Sequence, residues 1–174
     1  MFNGLKKLCI PTGKYNIKYN KYLAWSSLST MIISIETAMS TNNMLNALDI
    51  EKENKAFNYI GKDIIGQLGG LIYMSKMSEK SDKNPRQFLL YSNVIQQSSY
   101  LLMCSTTMFE PEYFIFVAGI ANVFSNISFT GYGSVNAKCI QKLSTDNMGE
   151  MYAKITMVNT LASSIGLGIG IGLC

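Results

Sequence analysis

The sequence predicts an all-α integral membrane protein, a helical bundle of about five spans, and three observations lead to this fold class. Three stretches of 20 or more residues carry no charge. Charged residues make up only 15% of the chain and apolar residues 48%, whereas about 25% of an average soluble domain is charged. The basic residues collect in alternate connections between the apolar stretches. A length of 174 residues suits one domain, so we treat 1–174 as a single helical membrane domain.

The three uncharged stretches each predict one span. They cover residues 87–109, 113–137 and 155–174, which are 23, 25 and 20 residues long. A helix needs roughly 20 residues to cross a hydrocarbon core of about 30 Å. Each stretch is therefore long enough to cross a bilayer.

Two further stretches are weaker candidates for spans. Residues 22–39 contain many serines and threonines and are interrupted by Glu36, while residues 56–75 contain the adjacent charges Lys62 and Asp63. Insertion of the apolar residues in 56–75 gains roughly 2 to 4 kcal/mol, and two central charges cost roughly 5 to 7 kcal/mol. This segment therefore requires partner helices that shield the charges, or a position with Lys62 and Asp63 near an interface.

The basic residues provide an independent test of the span assignment. If five spans alternate, the Lys-rich segment 1–21 and the connections 76–86 and 138–154 lie on one side and hold twelve of the 15 basic residues. The positive-inside rule makes that side, with the N-terminus, cytoplasmic. A soluble all-α domain is the alternative, but it has no reason to sort its lysines in this way.

The composition also excludes several classes of function. The chain has no histidine, which removes imidazole-based triads and His-ligated metals. The four cysteines, Cys9, Cys104, Cys139 and Cys174, are far apart, and Arg86 is the only arginine among dispersed lysines. We therefore expect no catalytic residues, no cofactor, no metal and no nucleic-acid partner, and a protein that is not an enzyme.

Two predicted spans carry a polar seam along one helical face. The seam residues are Asn93, Gln96 and Gln97 in the first span, and Asn122, Asn126 and Thr130 in the second. One interpretation is interhelical hydrogen bonding within the bundle, worth about 0.6 kcal/mol per contact. The other is that both seams line a cavity or path for a small polar solute.

Charged and small residues within the spans give further candidates. Lys62 beside Asp63 is an intramembrane charge pair, which either neutralises itself or forms a ligand or proton site. Glycines four residues apart allow helix backbones to approach closely, so they predict helix packing. The pairs are Gly66 with Gly70, Gly168 with Gly172 and Gly166 with Gly170, and Gly69 is a further candidate for helix packing.

Four segments in the same order resemble the root-UVB-sensitive family. Pro11 and Gly13, followed by Tyr19, Tyr22, Trp25 and Leu28, resemble the opening of that family. Residues 56–73 are similar to its Lys/Arg-Asp-xx-Gly-x-Leu-Gly motif, and FIFVAGIANVF resembles its apolar span. The segment NMGEMYAK is similar to an Asn-x-x-Asp-x-x-Ala-Lys element through Asn147, Glu150, Ala153 and Lys154.

The chain also departs from the family pattern. Amides stand at the Asn93, Gln96 and Gln97 positions where family members tend to have acidic residues, and DIEKENK replaces an expected Gly-Val-Gly loop. The large C-terminal region of the family is expected to be absent. The resemblance implies a helical, membrane-associated protein, linked in plants to light-dependent seedling growth, auxin transport and vitamin B6 balance, whose members associate with one another.

Two hypotheses for function follow. The first is a non-enzymatic, multi-pass membrane protein that binds a partner protein or a small polar solute in a transport or regulatory role. The second is an assembly module in which glycine-mediated helix packing joins the chain to a second copy or to a family member. The expected partners are therefore the lipid bilayer, another family chain and a small polar ligand.

Overall fold

The computed structural model describes residues 10–12, 15–50, 55–144 and 147–174, and over these ranges the chain is helical. The bounds of the long helices are α1 Lys18–Ile50, α2 Lys55–Lys83, α3 Pro85–Ser105, α4 Phe114–Leu143 and α5 Met148–Leu173. The described ranges contain no β-strand, only one isolated bridge between Tyr15 and Ser144. The all-α prediction is confirmed. Gly13, most of the Lys-rich segment 1–21 and part of DIEKENK lie outside the described residues.

Proline sets one helix boundary. Asn84, which precedes Pro85, has φ −136° and ψ 70° and so leaves the helical region, as expected of a residue before proline. Pro85 then begins α3, where the N–H that proline lacks has no helical partner anyway. The break between α2 and α3 is thus a single residue long, and the two helices form a hairpin.

The chain divides into two compact units, and each is described by itself. The first joins Met1–Ala38, over its described part, to Asn136–Cys174. Here α1 and α5 run parallel, since Gly166 lies against Met31 and Ser34 while Gly170 lies against Ile35 and Ala38. The apolar core of this unit consists of Tyr19, Leu23, Ile140, Met151 and Ile155.

The second unit is Met39–Val135. In it α2 and α4 run parallel, because Gly61 meets Ile115 and Gly70 meets Asn126. In contrast, α3 runs antiparallel to α4: Ser99 Oγ donates to the carbonyl of Ala121 at 2.7 Å, and Ser128 Oγ donates to the carbonyl of Ser92 at 2.7 Å. A small core of Met44, Ala47, Phe114 and Ala118 completes this unit.

Two of the described helices are long and apolar enough to cross a membrane. They are Phe114–Leu143 and Met148–Leu173, with mean hydropathy 1.5 and 1.4 over their most apolar parts. The other three helices fall short of the same threshold. In α3 the cause is its content of serine and amide side chains, and in α2 it is the charges at Lys62 and Asp63. By this measure the prediction of about five spans is met by two helices only.

Many large apolar side chains of α2 and α5 point outward. On α2 the exposed side chains include Phe57, Ile60, Ile64, Leu68 and Leu71, whereas Asn58, Lys62, Gly66 and Gly70 are buried. On α5, Leu161, Ile165 and Ile171 are exposed, while Gly166 and Gly170 are buried. Helices of water-soluble proteins have the opposite arrangement, with the apolar stripe inside.

Candidate functional site

The charge pair of α2 lies against α4, and small residues bring the two helices together. Gly66 has no side chain, so Asn122 of α4 packs directly on its backbone; a Cβ atom at Gly66 would lie 2.7 Å from Asn122 Cγ. A Cβ atom at Gly69 would lie 2.6 Å from Val123 Cγ2. Such close approach is the usual role of small residues on the contact face of packed membrane helices.

The polar groups at this contact form a cluster of four residues, Tyr59, Lys62, Asp63 and Asn122. Lys62 Nζ lies 2.6 Å from Asp63 Oδ1 and 4.3 Å from the centroid of the Tyr59 ring. Asn122 Nδ2 donates to Asp63 Oδ1 at 2.9 Å and to the carbonyl oxygen of Lys62 at 3.0 Å. The Lys62 side chain is 7% exposed and that of Asp63 43%.

Three interactions stabilise the buried ammonium group of Lys62. The carboxylate of Asp63 neutralises Lys62, the Tyr59 ring face attracts it, and the Asn122 amide holds the carboxylate in place. A paired charge costs far less to bury than an isolated one. The cluster therefore ties α2 to α4, and a ligand or proton role for Asp63 stays a prediction.

The polar seam of α4 faces α2. Asn126 Nδ2 donates to the Asn122 carbonyl at 2.9 Å, and Thr130 Oγ1 donates to the Asn126 carbonyl at 2.6 Å. A Cβ atom at Gly70 would lie 3.0 Å from Asn126 Cβ. Over Asn122 and Asn126 the seam is covered by the glycine face of α2.

The seam predicted on α3 lies elsewhere. Asn93 and Gln97 are exposed and Gln96 is half-buried, whereas the face of α3 toward α4 consists of Phe88, Ser92 and Ser99. The structure thus does not bring the two predicted seams together. The signal that could have identified the contact face is the spacing of Ser92 and Ser99, seven residues apart, since serine both packs closely and donates across helices.

Residues of the resembling motifs meet in the first unit. Glu150 Oε1 accepts the Thr12 backbone N–H at 2.9 Å, and Thr12 Oγ1 lies 3.0 and 2.9 Å from the two oxygens of Glu150. Lys154 Nζ lies 3.3 Å from Glu150 Oε1 and also donates to the Ile10 carbonyl. The Thr12 backbone N–H contributes most to lowering the pKa of Glu150. Burial opposes this effect, and the Thr12 hydroxyl and Lys154 lower the pKa further.

The remaining motif residues have different surroundings. Tyr22 packs on the core of the first unit, whereas Trp25 is 63% exposed. Asn147 precedes α5, and neither polar atom of its buried amide has a hydrogen-bond partner among the described residues. Of the predicted packing glycines, Gly168 and Gly172 face open space, while Gly166 and Gly170 make the contacts with α1.

The described part of the chain holds no group of three or more metal-ligating side chains. Cys104 and Cys139 are half-buried, Cys174 is exposed, and all three are free thiols. The main polar arrangements of the described residues are therefore the charge pair and the Thr12–Glu150–Lys154 contacts.

Comparison with known proteins identifies the family. A family model described as the vitamin B6 photo-protection and homoeostasis domain matches residues 2–174. This chain belongs to the root-UVB-sensitive family. The predicted resemblance is thus confirmed, and it extends over the whole helical region.

Three members of the root-UVB-sensitive family from Arabidopsis thaliana are similar to this chain. Protein root UVB sensitive 4 is 28% identical over 155 residues, which cover 86% of this chain and 30% of the relative. Protein root UVB sensitive 3 is 21% identical over 164 residues (91% and 37%), and protein root UVB sensitive 5 is 24% identical over 173 residues (91% and 34%). The chain spans about a third of the length of these relatives. No solved structure matches it.

Proposed function

We propose that this chain is a non-enzymatic, multi-span membrane module of the root-UVB-sensitive family, which acts by binding a partner protein or a small polar solute. Through that binding it contributes to the vitamin B6 photo-protection and homoeostasis for which the family domain is named. The main support for the proposal is that the helix faces are arranged in the opposite way to those of water-soluble proteins. Many large apolar side chains are outside, while several glycines, hydroxyl groups and the Lys62 ammonium group are inside.

Lipid is the solvent that suits such a surface. Each Å² of apolar surface exposed to water costs about 25 cal/mol, and the described helices expose large side chains along their whole length. In lipid that cost disappears, and helices associate through small residues and hydrogen bonds instead. Only 33% of the most apolar part of α4 and 17% of that of α5 is buried, so most of the apolar residues there lie outside the core.

The more polar helices also suit a bilayer, because their hydroxyl groups bond to their own helices. In α1, Thr30, Ser34 and Thr37 donate to carbonyl oxygens four residues earlier. Across helices, Ser34 Oγ lies 2.8 Å from Ser163 Oγ, and Asn159 Nδ2 donates to Ser26 Oγ at 2.9 Å. These contacts remove much of the cost of placing polar side chains in lipid.

The helix directions support five alternating spans. In a chain that crosses five times, spans one and five are parallel, spans two and four are parallel, and span three opposes its neighbours. Within the first unit α1 parallels α5, and within the second α2 parallels α4 and α3 opposes α4. Lys62 is the eighth residue of α2, about 10 Å from its start, which keeps the charge pair near an interface.

Two measurements test this proposal. After alkaline carbonate washing, the full chain should remain in the membrane pellet, and its release into the supernatant would refute the multi-span arrangement. In the source organism, deletion of the gene should alter the pool of vitamin B6 forms under UVB light, as measured by mass spectrometry. An unchanged pool would refute the proposed role while leaving the membrane arrangement intact.

A second candidate function is assembly with another family chain through α5. Gly168 and Gly172 lie on the side of α5 where no described neighbour lies within 4 Å, so a second helix can approach there. Replacing both with leucine should abolish co-purification of two differently tagged copies. Gly133→Leu on α4, which also faces open space, is the matched control and should leave association unchanged. Unaltered association of the double variant would exclude this candidate.

A further inference from the structure

A cavity of about 380 Å³ lies between the end of α2 and the start of α3, within the second unit. Cavities of roughly 300 to 1,000 Å³ are typical of small-molecule sites, which combine an apolar wall with a few converging polar groups. This cavity has both features. It lies outside the Lys62 cluster, and its described lining contains none of the candidate site residues that the sequence predicts.

Aromatic rings form the wall of the cavity. The rings of Tyr73 and Phe88 stack with their centroids 6.5 Å apart and their planes at 27°. Phe88 is 6% exposed, so the stacked pair of rings is anchored in the packed interior. Tyr91 lies one helical turn further on and is largely exposed. Such a wall accepts an apolar or aromatic body.

Polar side chains form the rim, and their balance is cationic. Lys83, Asn84 and Gln87 are exposed and line the opening. The Asn84 side chain makes no capping hydrogen bond to α3, so the helix does not use its amide. None of the lining side chains described is a carboxylate. The described part of the rim therefore offers an ammonium group and two amides to an anion.

We propose that this cavity binds an amphiphilic anion, in which a phosphate group is carried on an apolar or aromatic body. The ammonium group of Lys83 and the amides of Asn84 and Gln87 bind the phosphate, and the rings of Tyr73 and Tyr91 contact the body. Charge-assisted hydrogen bonds from lysine make this a strong contact. Two sources present this chemistry: an anionic lipid and a water-soluble aryl phosphate.

The lipid source rests on the proposed membrane function. In that arrangement the connection 76–86, with four of the chain's basic residues, lies on the cytoplasmic side of the bilayer. Basic pockets between helices on that side bind anionic headgroups. The aryl phosphate source requires no particular topology, since a soluble ligand enters an open cavity from water.

The test uses the full chain in phosphatidylcholine nanodiscs. One set also contains phosphatidic acid, and lipid retained on the released protein is measured by native mass spectrometry. The other set is titrated with phenyl phosphate, and binding is measured by calorimetry. Lys83→Gln should weaken binding about tenfold or more. Lys76→Gln is the matched control, because Lys76 is an exposed lysine of the same helix outside the cavity lining, and it should change binding less than about twofold.

The two probes and the two variants distinguish the possible sources of the ligand. Lys83-dependent retention of phosphatidic acid alone assigns the site to lipid, and Lys83-dependent binding of phenyl phosphate alone assigns it to a soluble ligand. Equal losses in Lys83→Gln and Lys76→Gln would show general charge attraction and overturn the proposal, as would binding of neither probe. Carbonate extraction of both variants separates a failure of this site from a failure of the proposed membrane arrangement.

Discussion

Asn122 makes the contact that holds the charge pair of α2 in place. Its amide donates both to the Asp63 carboxylate and to the Lys62 carbonyl. Asn122→Leu removes both hydrogen bonds and keeps a side chain of similar shape, so we expect a loss of stability of about 1 to 2 kcal/mol. Unfolding from mild detergent into SDS, followed by circular dichroism, measures the change.

The exposed amide Asn93 provides the matched control. Asn93→Leu places an apolar side chain on an outward face and should leave the unfolding midpoint unchanged or raise it. If both variants lose stability equally, the effect belongs to amide removal in general and the assigned role of Asn122 is wrong.

Glu150 makes the first unit sensitive to acid. Hydrogen bonds from the Thr12 backbone N–H, the Thr12 hydroxyl and Lys154 hold the Glu150 pKa below its ordinary value. A carboxylate whose pKa is lower in the folded state stabilises that state at neutral pH, and this contribution is lost as the pH falls through the lowered pKa. Glu150→Gln should therefore be less stable than the wild type at pH 7, and the difference should disappear on acidification.

Thermal unfolding in detergent across a pH series measures this effect. Glu112→Gln, at an exposed position in the turn before α4, should show no such difference at any pH. A gap between wild type and Glu150→Gln that stays constant down to acid pH would contradict the role given to the carboxylate.

At this scale the sequence places the polar residues of α4 on one face but does not give the helix that this face meets. Asn122 and Asn126 stand among apolar residues, and the spacing of four is enough to place them on one face. What they contact depends on how α2 and α4 align, which the 3.6-residue period does not contain. For the same reason the sequence does not show that Ser92 and Ser99 of α3 face α4, while Asn93 and Gln97 are exposed.

At the scale of the helix, two glycines of α5 that are two residues apart have opposite environments. A Cβ atom at Gly166 would lie 2.3 Å from the backbone oxygen of Met31, whereas one at Gly168 would have no neighbour within 4 Å. Gly166→Ala must separate α5 from α1 and should cost about 1 to 3 kcal/mol. Gly168→Ala should cost nothing, because alanine favours the helix. The SDS unfolding midpoints of the two variants give the comparison.

The same glycines show why the sequence alone does not predict which face of α5 packs on α1. The run Gly166, Gly168, Gly170 and Gly172 contains two pairs with identical spacing, and only the first meets α1. The sequence predicts packing for both, but the choice depends on where Met31, Ser34 and Ala38 lie on the partner helix. Equal effects of Gly166→Ala and Gly168→Ala would show that the parallel packing of α1 on α5 is incorrect.

At the scale of the molecule, the charge gaps located the long helices well but did not give their lengths, since α3 has 21 residues against a gap of 23, whereas α4 is longer than its gap. The stretch 113–137 was predicted as one span, and α4 covers Phe114–Leu143 with two lysines in its last two turns. Lysine side chains can extend to an interface from the end of a helix, so a helix such as α4 can continue beyond its uncharged gap. The alternate distribution of the basic residues therefore remains the strongest sequence signal for sidedness.

Sidedness gives a prediction for the whole chain. If five spans alternate, Lys83 and Lys142 lie on one side of the membrane and Glu112 on the other. In a variant whose native cysteines are replaced by serine, single cysteines at these three positions should react with a membrane-impermeant maleimide from different sides. The Lys83→Cys and Lys142→Cys variants should be labelled together, and Glu112→Cys only from the opposite face. Labelling after detergent permeabilisation shows that each site is reactive, and labelling of all three from one side would exclude the alternating arrangement.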